Sequence, residues 1–236
     1  MKKNGYNSGY IGVDQLRSIS GVMSQQKYYI MRRANIIRKA GKQLTSDGLR
    51  SNWDVTMIED EFPESWTDSG PQNQPLTFVG GPQKITNDGD VYLDFDATSD
   101  GFTPTNSYSL TGANPGTIGF VIRTTDAQAL FFGTGVYLGA FKSANKFYNS
   151  GFGTPNFWQD GYQKSNIYDH LRDGNWHYIE FKGVDRSATT GWEFSQYSSF
   201  QLNCDLRACI SYDRVLSAAE TLNNYDYYNN IGYLTA

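Results

Sequence analysis

From Leu76 to Tyr212 the chain is cut into short runs rich in β-branched and aromatic residues, with turn residues between them. The clearest runs are Leu76–Val79, Val91–Phe95, Tyr108–Leu110, Thr117–Arg123, Ala129–Phe132, Val136–Phe141, Trp176–Lys182 and Leu206–Tyr212. Turns such as Asn87-Asp88-Gly89-Asp90 supply the backbone conformations that a chain reversal needs. Several strands at this spacing argue for a sandwich. Composition agrees: 24 Gly and 17 Tyr, with only 19% charged residues, favour β structure with many turns.

Two late segments alternate by face. In Trp176–Phe181, His177, Ile179 and Phe181 share one side, and Trp176, Tyr178 and Glu180 share the other. In the last strand, Leu206, Ala208, Ile210 and Tyr212 are expected on one face and Arg207, Cys209 and Ser211 on the other, as in a half-buried antiparallel strand. Ser217 then caps a helix over Ala218–Tyr225, with Glu220 three residues on to complete a capping box. The turn Asp173-Gly174-Asn175 leading into Trp176-His177, and the ending Tyr212-Asp213-Arg214-Val215-Leu216-Ser217, resemble two late signatures of the laminin-G-like, or concanavalin A-like, jelly-roll superfamily. The resemblance covers roughly residues 76–230 and is specific in its last third. It implies an all-β fold, an antiparallel β-sandwich of laminin-G-like jelly-roll type over residues 76–236. Function does not follow, because this architecture hosts lectins, glucanases and inert modules alike.

Charge divides the chain. Residues 1–54 hold ten Lys/Arg and three Asp/Glu, a balance of +7, while residues 55–236 stand at −11. The first part reads as a basic anchoring arm, extended and partly helical, with its own partner. Its helix candidate is Ser24–Gly41, capped by Ser24 and ended by Gly41. The arm's anchoring residues are taken as Tyr10, Ile11, Val13, Tyr28, Tyr29, Arg32, Arg33 and Arg38. Residues 55–75 read as a linker, with Val55–Phe62 open to pairing with the sheet. No run reaches the roughly 18 apolar residues of a membrane span. Nor does an apolar stretch follow Met1-Lys2-Lys3, so synthesis in a cytosol is expected. Cys204 and Cys209 would lie roughly 16 Å apart if extended, against the about 7 Å a disulfide tolerates, so two free thiols are expected.

Chemistry-bearing constellations are sparse. Glucanases of the resembled superfamily set carboxylates along one strand face in a Glu-x-Asp-x-Glu type of spacing, about 5–5.5 Å apart for retention. Glu59-Asp60-Glu61 is contiguous and points to opposite faces, and the alternating Asp94 and Asp96 read as a solvated edge. No catalytic residue is assigned, and the chain is expected not to be an enzyme. Asp94, Asp96 and Asp100 offer oxygens of the kind calcium takes, but the preferred reading is a solvated turn, with no metal and no cofactor. His177 reads as a satisfied core histidine. The segment around Asn156, Phe157, Trp158, Asp160 and Tyr162 reads as an aromatic loop, suited to an interface between subunits or to a host surface glycan. The arm's basic residues match no nucleic-acid motif.

Ser8-Gly9-Tyr10-Ile11-Gly12-Val13-Asp14, with Gly21-Val22 and Gln25-Gln26-Lys27-Tyr28-Tyr29, resembles the openings of tailed-bacteriophage virion structural proteins. That resemblance implies a structural protein of a virion, assembled in the host cytoplasm. It would be a capsid decoration or tail component, tied to other virion proteins by its arm and associating with copies of itself.

Overall fold

The computed structural model describes residues 43–96, 99–105, 115–125, 131–133, 136–141, 147–150, 153–164, 171–185, 192–194 and 202–235. The eight anchoring residues of the arm, the helix expected over Ser24–Gly41 and the strand expected over Tyr108–Leu110 lie outside the described residues.

The described strands, in chain order, begin with β1 (Leu49–Asp54), β2 (Ser65–Trp66), β3 (Leu76–Val79), β4 (Gln83–Asn87) and β5 (Asp90–Asp96). β6 (Gly101–Pro104), β7 (Gly116–Arg123), β8 (Phe131–Gly133), β9 (Val136–Phe141) and β10 (Phe147–Ser150) follow. The series closes with β11 (Gly153–Gln159), β12 (Tyr162–Lys164), β13 (His177–Val184), β14 (Trp192–Phe194), β15 (Asn203–Tyr212) and the helix α1 (Ala218–Asn230). One sheet runs β12-β11-β13-β7-β15-β5-β4, with β1 also paired to β15; the other runs β10-β9-β8-β14-β6-β3-β2. Neighbours pair antiparallel, so the chain forms the expected all-β antiparallel sandwich.

Phenylalanines fill the space between the sheets. Phe102 stacks on Phe194 at 4.6 Å, with Phe95 edge-on to Phe194 at 5.4 Å. β7 is buried at seven of its eight residues, which its sequence Gly-Thr-Ile-Gly-Phe-Val-Ile-Arg already suggests: a near-continuous apolar run suits a central strand covered on both faces. The second cover is α1 with the chain after it. Leu216, Tyr227, Tyr228 and Tyr233 pack there against Val121, Tyr178, Ile210 and Tyr212. The capping box forms as expected, with Ser217 and Glu220 each bonding the other's backbone N–H. Cys204 and Cys209 are free, buried thiols.

The alternation expected in the last strand is corrected by a bulge. The register on β7 shifts between Leu206 and Ala208. Cys204, Leu206 and Cys209 therefore belong to the inner core, and Ala208, Ile210 and Tyr212 to the outer cluster. An inserted residue inverts the phase of everything after it, and Arg207 turns outward.

The sandwich also begins earlier than Leu76, and the expected linker is part of it. Residues 44–236 cluster as one compact unit. β1 pairs with β15 from Leu49↔Tyr212 to Asp54↔Ala208. Trp53, Val55 and Trp66 are fully buried, and the Trp53 indole donates to the Gln74 carbonyl at 2.9 Å. The loop chemistry of residues 69–75 is real but tied down: the buried Asp68 carboxylate accepts from the backbone N–H groups of Asn52, Gly70 and Gln74 at 2.7–2.8 Å. At Gly70 an added Cβ would lie 2.6 Å from Ser51 Cα and 2.8 Å from the Arg50 carbonyl oxygen. Gly70→Ala should therefore cost about 1–3 kcal/mol, since backbone must move to admit it. A lower urea midpoint at unchanged slope would show this; an unchanged midpoint would contradict it.

Candidate functional site

The segment expected to be an aromatic loop is a hairpin. β11 pairs with β13 on one side and with β12 on the other, placing β12 at the sheet's edge. Pro155 is tolerated because the β11–β13 register shifts between Gly153 and Asn156. Asp160 and Gly161 form the two-residue turn, with φ of 51° and 84°. Asp-Gly is a favoured pair where both positions need positive φ, and the sequence carries that signal. The turn also rests on α1: a Cβ at Gly161 would meet Leu222 Cδ1 at 2.8 Å.

Alternation along the hairpin separates the five expected site residues. Phe157 points into the core, 5.5 Å from the Phe181 ring, and leaves the site. Asn156 and Trp158 lie on the opposite face, where Asn156 accepts from the Gln163 amide at 3.1 Å. Lys182 Nζ sits 3.8 Å from the centre of the Trp158 ring. Tyr162 is 65% exposed beside the turn. Asp160 is committed to structure: one oxygen accepts from the Tyr178 backbone N–H at 3.0 Å, and the other lies 2.7 Å from His177 Nδ1. A planar amide pair beside an indole, with a phenol on the turn, therefore survives from the expected set. Gln163 and Lys182 were missed, and only the β11–β12 and β11–β13 registers reveal them.

His177 is more than a satisfied core residue. Its Nε2 lies 3.0 Å from Asp173 Oδ1, so the ring bridges two carboxylates. Burial works against the imidazolium, but Asp160 and Asp173 together raise its pKa above the ordinary value. Asp173 is opposed by burial too, yet hydrogen bonds from Asn175 and His177 bring it down to about 2.

Beneath α1 lies a second polar group. Glu180 is fully buried and accepts from the Tyr178 hydroxyl, from Thr221 Oγ1 at 2.6 Å and from Asn224 Nδ2 at 3.2 Å. Lys182 Nζ donates to Thr221 Oγ1 at 3.2 Å. Burial pushes the Glu180 carboxyl up, against those hydrogen bonds, and pulls the Lys182 ammonium down. The helix roofs this carboxylate, and its partners are donors that fix α1 on the sheet. Elsewhere, Asp100 is buried and accepts from the Asp96 backbone N–H at 3.1 Å, so it serves its own loop. Among the described residues no group of three His, Cys, Asp or Glu is placed to hold a metal ion.

No protein-family model matches the sequence, and no curated protein matches it. Solved structures do resemble the fold. A mutant of Trypanosoma rangeli sialidase displaying trans-sialidase activity superposes with a TM-score of 0.51 at 11% identity, over 88% of this chain and 39% of that one. The binding domain of botulinum neurotoxin serotype D/C VPI 5993 gives 0.45 at 10% identity, over 79% of this chain and 53% of that domain. This chain thus spans well under two thirds of either protein's length. The sialidase likeness is one of fold, an antiparallel β-sandwich.

Proposed function

We propose that this chain is a non-enzymatic structural module of a bacteriophage virion, attached through its basic N-terminal segment and presenting the sandwich as a binding surface. The observation that carries this reading is the charge contrast at the edge of the compact unit. Residues 1–43 hold nine Lys/Arg and a single Asp, +8, whereas the unit from Leu44 onward stands at −12. A basic segment on an acidic domain suits attachment to a separate acidic partner. The non-catalytic part is supported by how the reactive groups are used, with Glu180 and His177 both engaged in holding elements together.

The test is deletion of residues 1–43, not 1–54, because β1 belongs to the sheet. The shortened protein should melt cooperatively yet disappear from purified particles, as read by quantitative mass spectrometry. Incorporation at the normal copy number would overturn the reading.

One observation favours a second role, recognition of a host surface glycan. Sugars bind by stacking on a ring and hydrogen bonding to planar amides, and Trp158, Asn156 and Gln163 offer both on one face of the hairpin. Trp158→Ala should lower affinity on a glycan array by about tenfold, whereas Tyr162→Ala should change it little, because Tyr162 pairs with Gln159 on the other face. No binding by the unaltered protein at millimolar glycan would remove this role and leave the first intact.

A further inference from the structure

We propose that His177 is a proton-controlled clasp between two surface turns, holding the β11–β12 hairpin tight when the imidazole carries both protons and loosening it when one leaves. The geometry is that of a bridge. Nδ1 faces Asp160 of the hairpin turn at 2.7 Å, and Nε2 faces Asp173 of the turn entering β13 at 3.0 Å. An imidazole donates from both nitrogens only as the cation; the neutral ring has one donor and one lone pair. Two carboxylates facing the two nitrogens therefore ask for the charged form.

Both carboxylates are fixed without the histidine. Asp160 accepts from the Tyr178 N–H at 3.0 Å and Asp173 from the Asn175 N–H at 2.8 Å. When the proton leaves, neither turns away freely, and one faces a nitrogen lone pair. From β11, Gln159 Nε2 lies 2.9 Å from Nδ1 and 3.5 Å from Asp160 Oδ2, a neutral donor from which Asp160 can accept while Nδ1 carries its proton. From β7 the residue opposite His177 is Ile122, which carries no charge. Asp160 and Asp173 are the charged groups that set the imidazole's state. The ring is 12% exposed, so solvent can reach it to exchange the proton.

The sign follows from linkage. The folded pKa of His177 lies above its unfolded value of about 6.5. The clasp's stabilisation is complete below about pH 6.5 and is lost as pH rises through the folded value. The hairpin that carries Trp158 and Tyr162 is thus firmest in mild acid.

The test uses the full chain. His170 and His177 are its two histidines, so His170→Gln leaves a single imidazole to follow by NMR. Its midpoint should exceed 6.5 and fall in both Asp160→Asn and Asp173→Asn. Amide protection of Tyr162–Lys164, corrected for intrinsic exchange, should drop between pH 6 and pH 9 by about tenfold for each unit of elevation. In His177→Gln it should be flat with pH. Should that variant fail to fold, Asp173→Asn answers the same question, because Asp173 sits 44% exposed on a surface turn; its pH-dependent drop should shrink. A midpoint at or below 6.5, or protection in the unaltered chain that does not change with pH, would overturn the proposal.

Discussion

Glu180→Ala should lower the stability of the sandwich by on the order of 3 kcal/mol or more, whereas Glu180→Gln should leave it within about 1 kcal/mol of the parent. Alanine removes the acceptor of three buried donors, the Tyr178 hydroxyl, Thr221 Oγ1 and Asn224 Nδ2, and opens a void under α1. Each orphaned donor costs about 1–3 kcal/mol, not additively. Glutamine keeps the shape and one acceptor oxygen. Its amide group can donate to Thr221 Oγ1, whose own proton already has the Ser217 carbonyl as an alternative at 3.1 Å. Glutamine also removes the cost of holding a charge away from water. The pH dependence separates these terms. Burial raises the folded pKa of Glu180 above 4.5, so the parent is favoured below that value and loses stability as pH rises through the folded one. The stability of Glu180→Gln relative to the parent should therefore improve from pH 4 to pH 7. Urea unfolding of all three proteins at both pH values would show it. Glu180→Ala within 1 kcal/mol of the parent would mean that the buried acceptor is dispensable.

That carboxylate also marks where sequence reading reaches its limit. Alternation over Trp176–Phe181 assigns Glu180 to the same face as Trp176 and Tyr178, and the fold bears this out. Alternation would make that face the wet side of a half-buried sheet. α1 covers it instead, and the helix does so with Thr221, Asn224, Tyr227 and Tyr228, residues that do not announce a core-facing stripe. The capping box was legible because it is local; the docking face was not, because it depends on donors reaching Glu180 across 41 and 44 residues. The same reason hid β1. Its pairing with β15 joins positions 154 to 163 residues apart, and Leu-Arg-Ser-Asn-Trp-Asp carries too little apolar alternation to demand a partner. In the hairpin, Gly, Asn and Pro suggested a loop, although Asp160-Gly161 between Phe157-Trp158 and Tyr162 is a turn signal. Of the expected site, Trp158, Asn156 and Tyr162 remain at the surface. Phe157 and Asp160 were lost to packing and to the turn, which a two-residue period would have foretold for Phe157.

Arg207→Ala should be comparably damaging, about 3–5 kcal/mol, and should free the chain end as well. The bulge after Leu206 turns this side chain to the outer face, where it is 1% exposed. Its guanidinium lies 3.9 Å from the Trp176 ring centre, pairs with Asp90 and donates to the carbonyls of Tyr233 and Thr235. One cation thus ties β5, β15 and the residues after α1 together, and alanine leaves a carboxylate and two carbonyls without it. A planar five-donor fork is needed to reach partners in three directions, so Arg207→Lys should recover little. Arg207→Met with Asp90→Asn should recover more, because removing both charges avoids the unpaired carboxylate and the methionine stem still covers Trp176. Urea midpoints rank the variants. Carboxypeptidase digestion under native conditions gives an independent reading, since residues 231–235 should be trimmed faster in Arg207→Ala than global unfolding alone allows. Equal trimming at matched stability would show that the chain end is held by the Tyr228–Tyr233 ring stack at 5.9 Å rather than by the arginine.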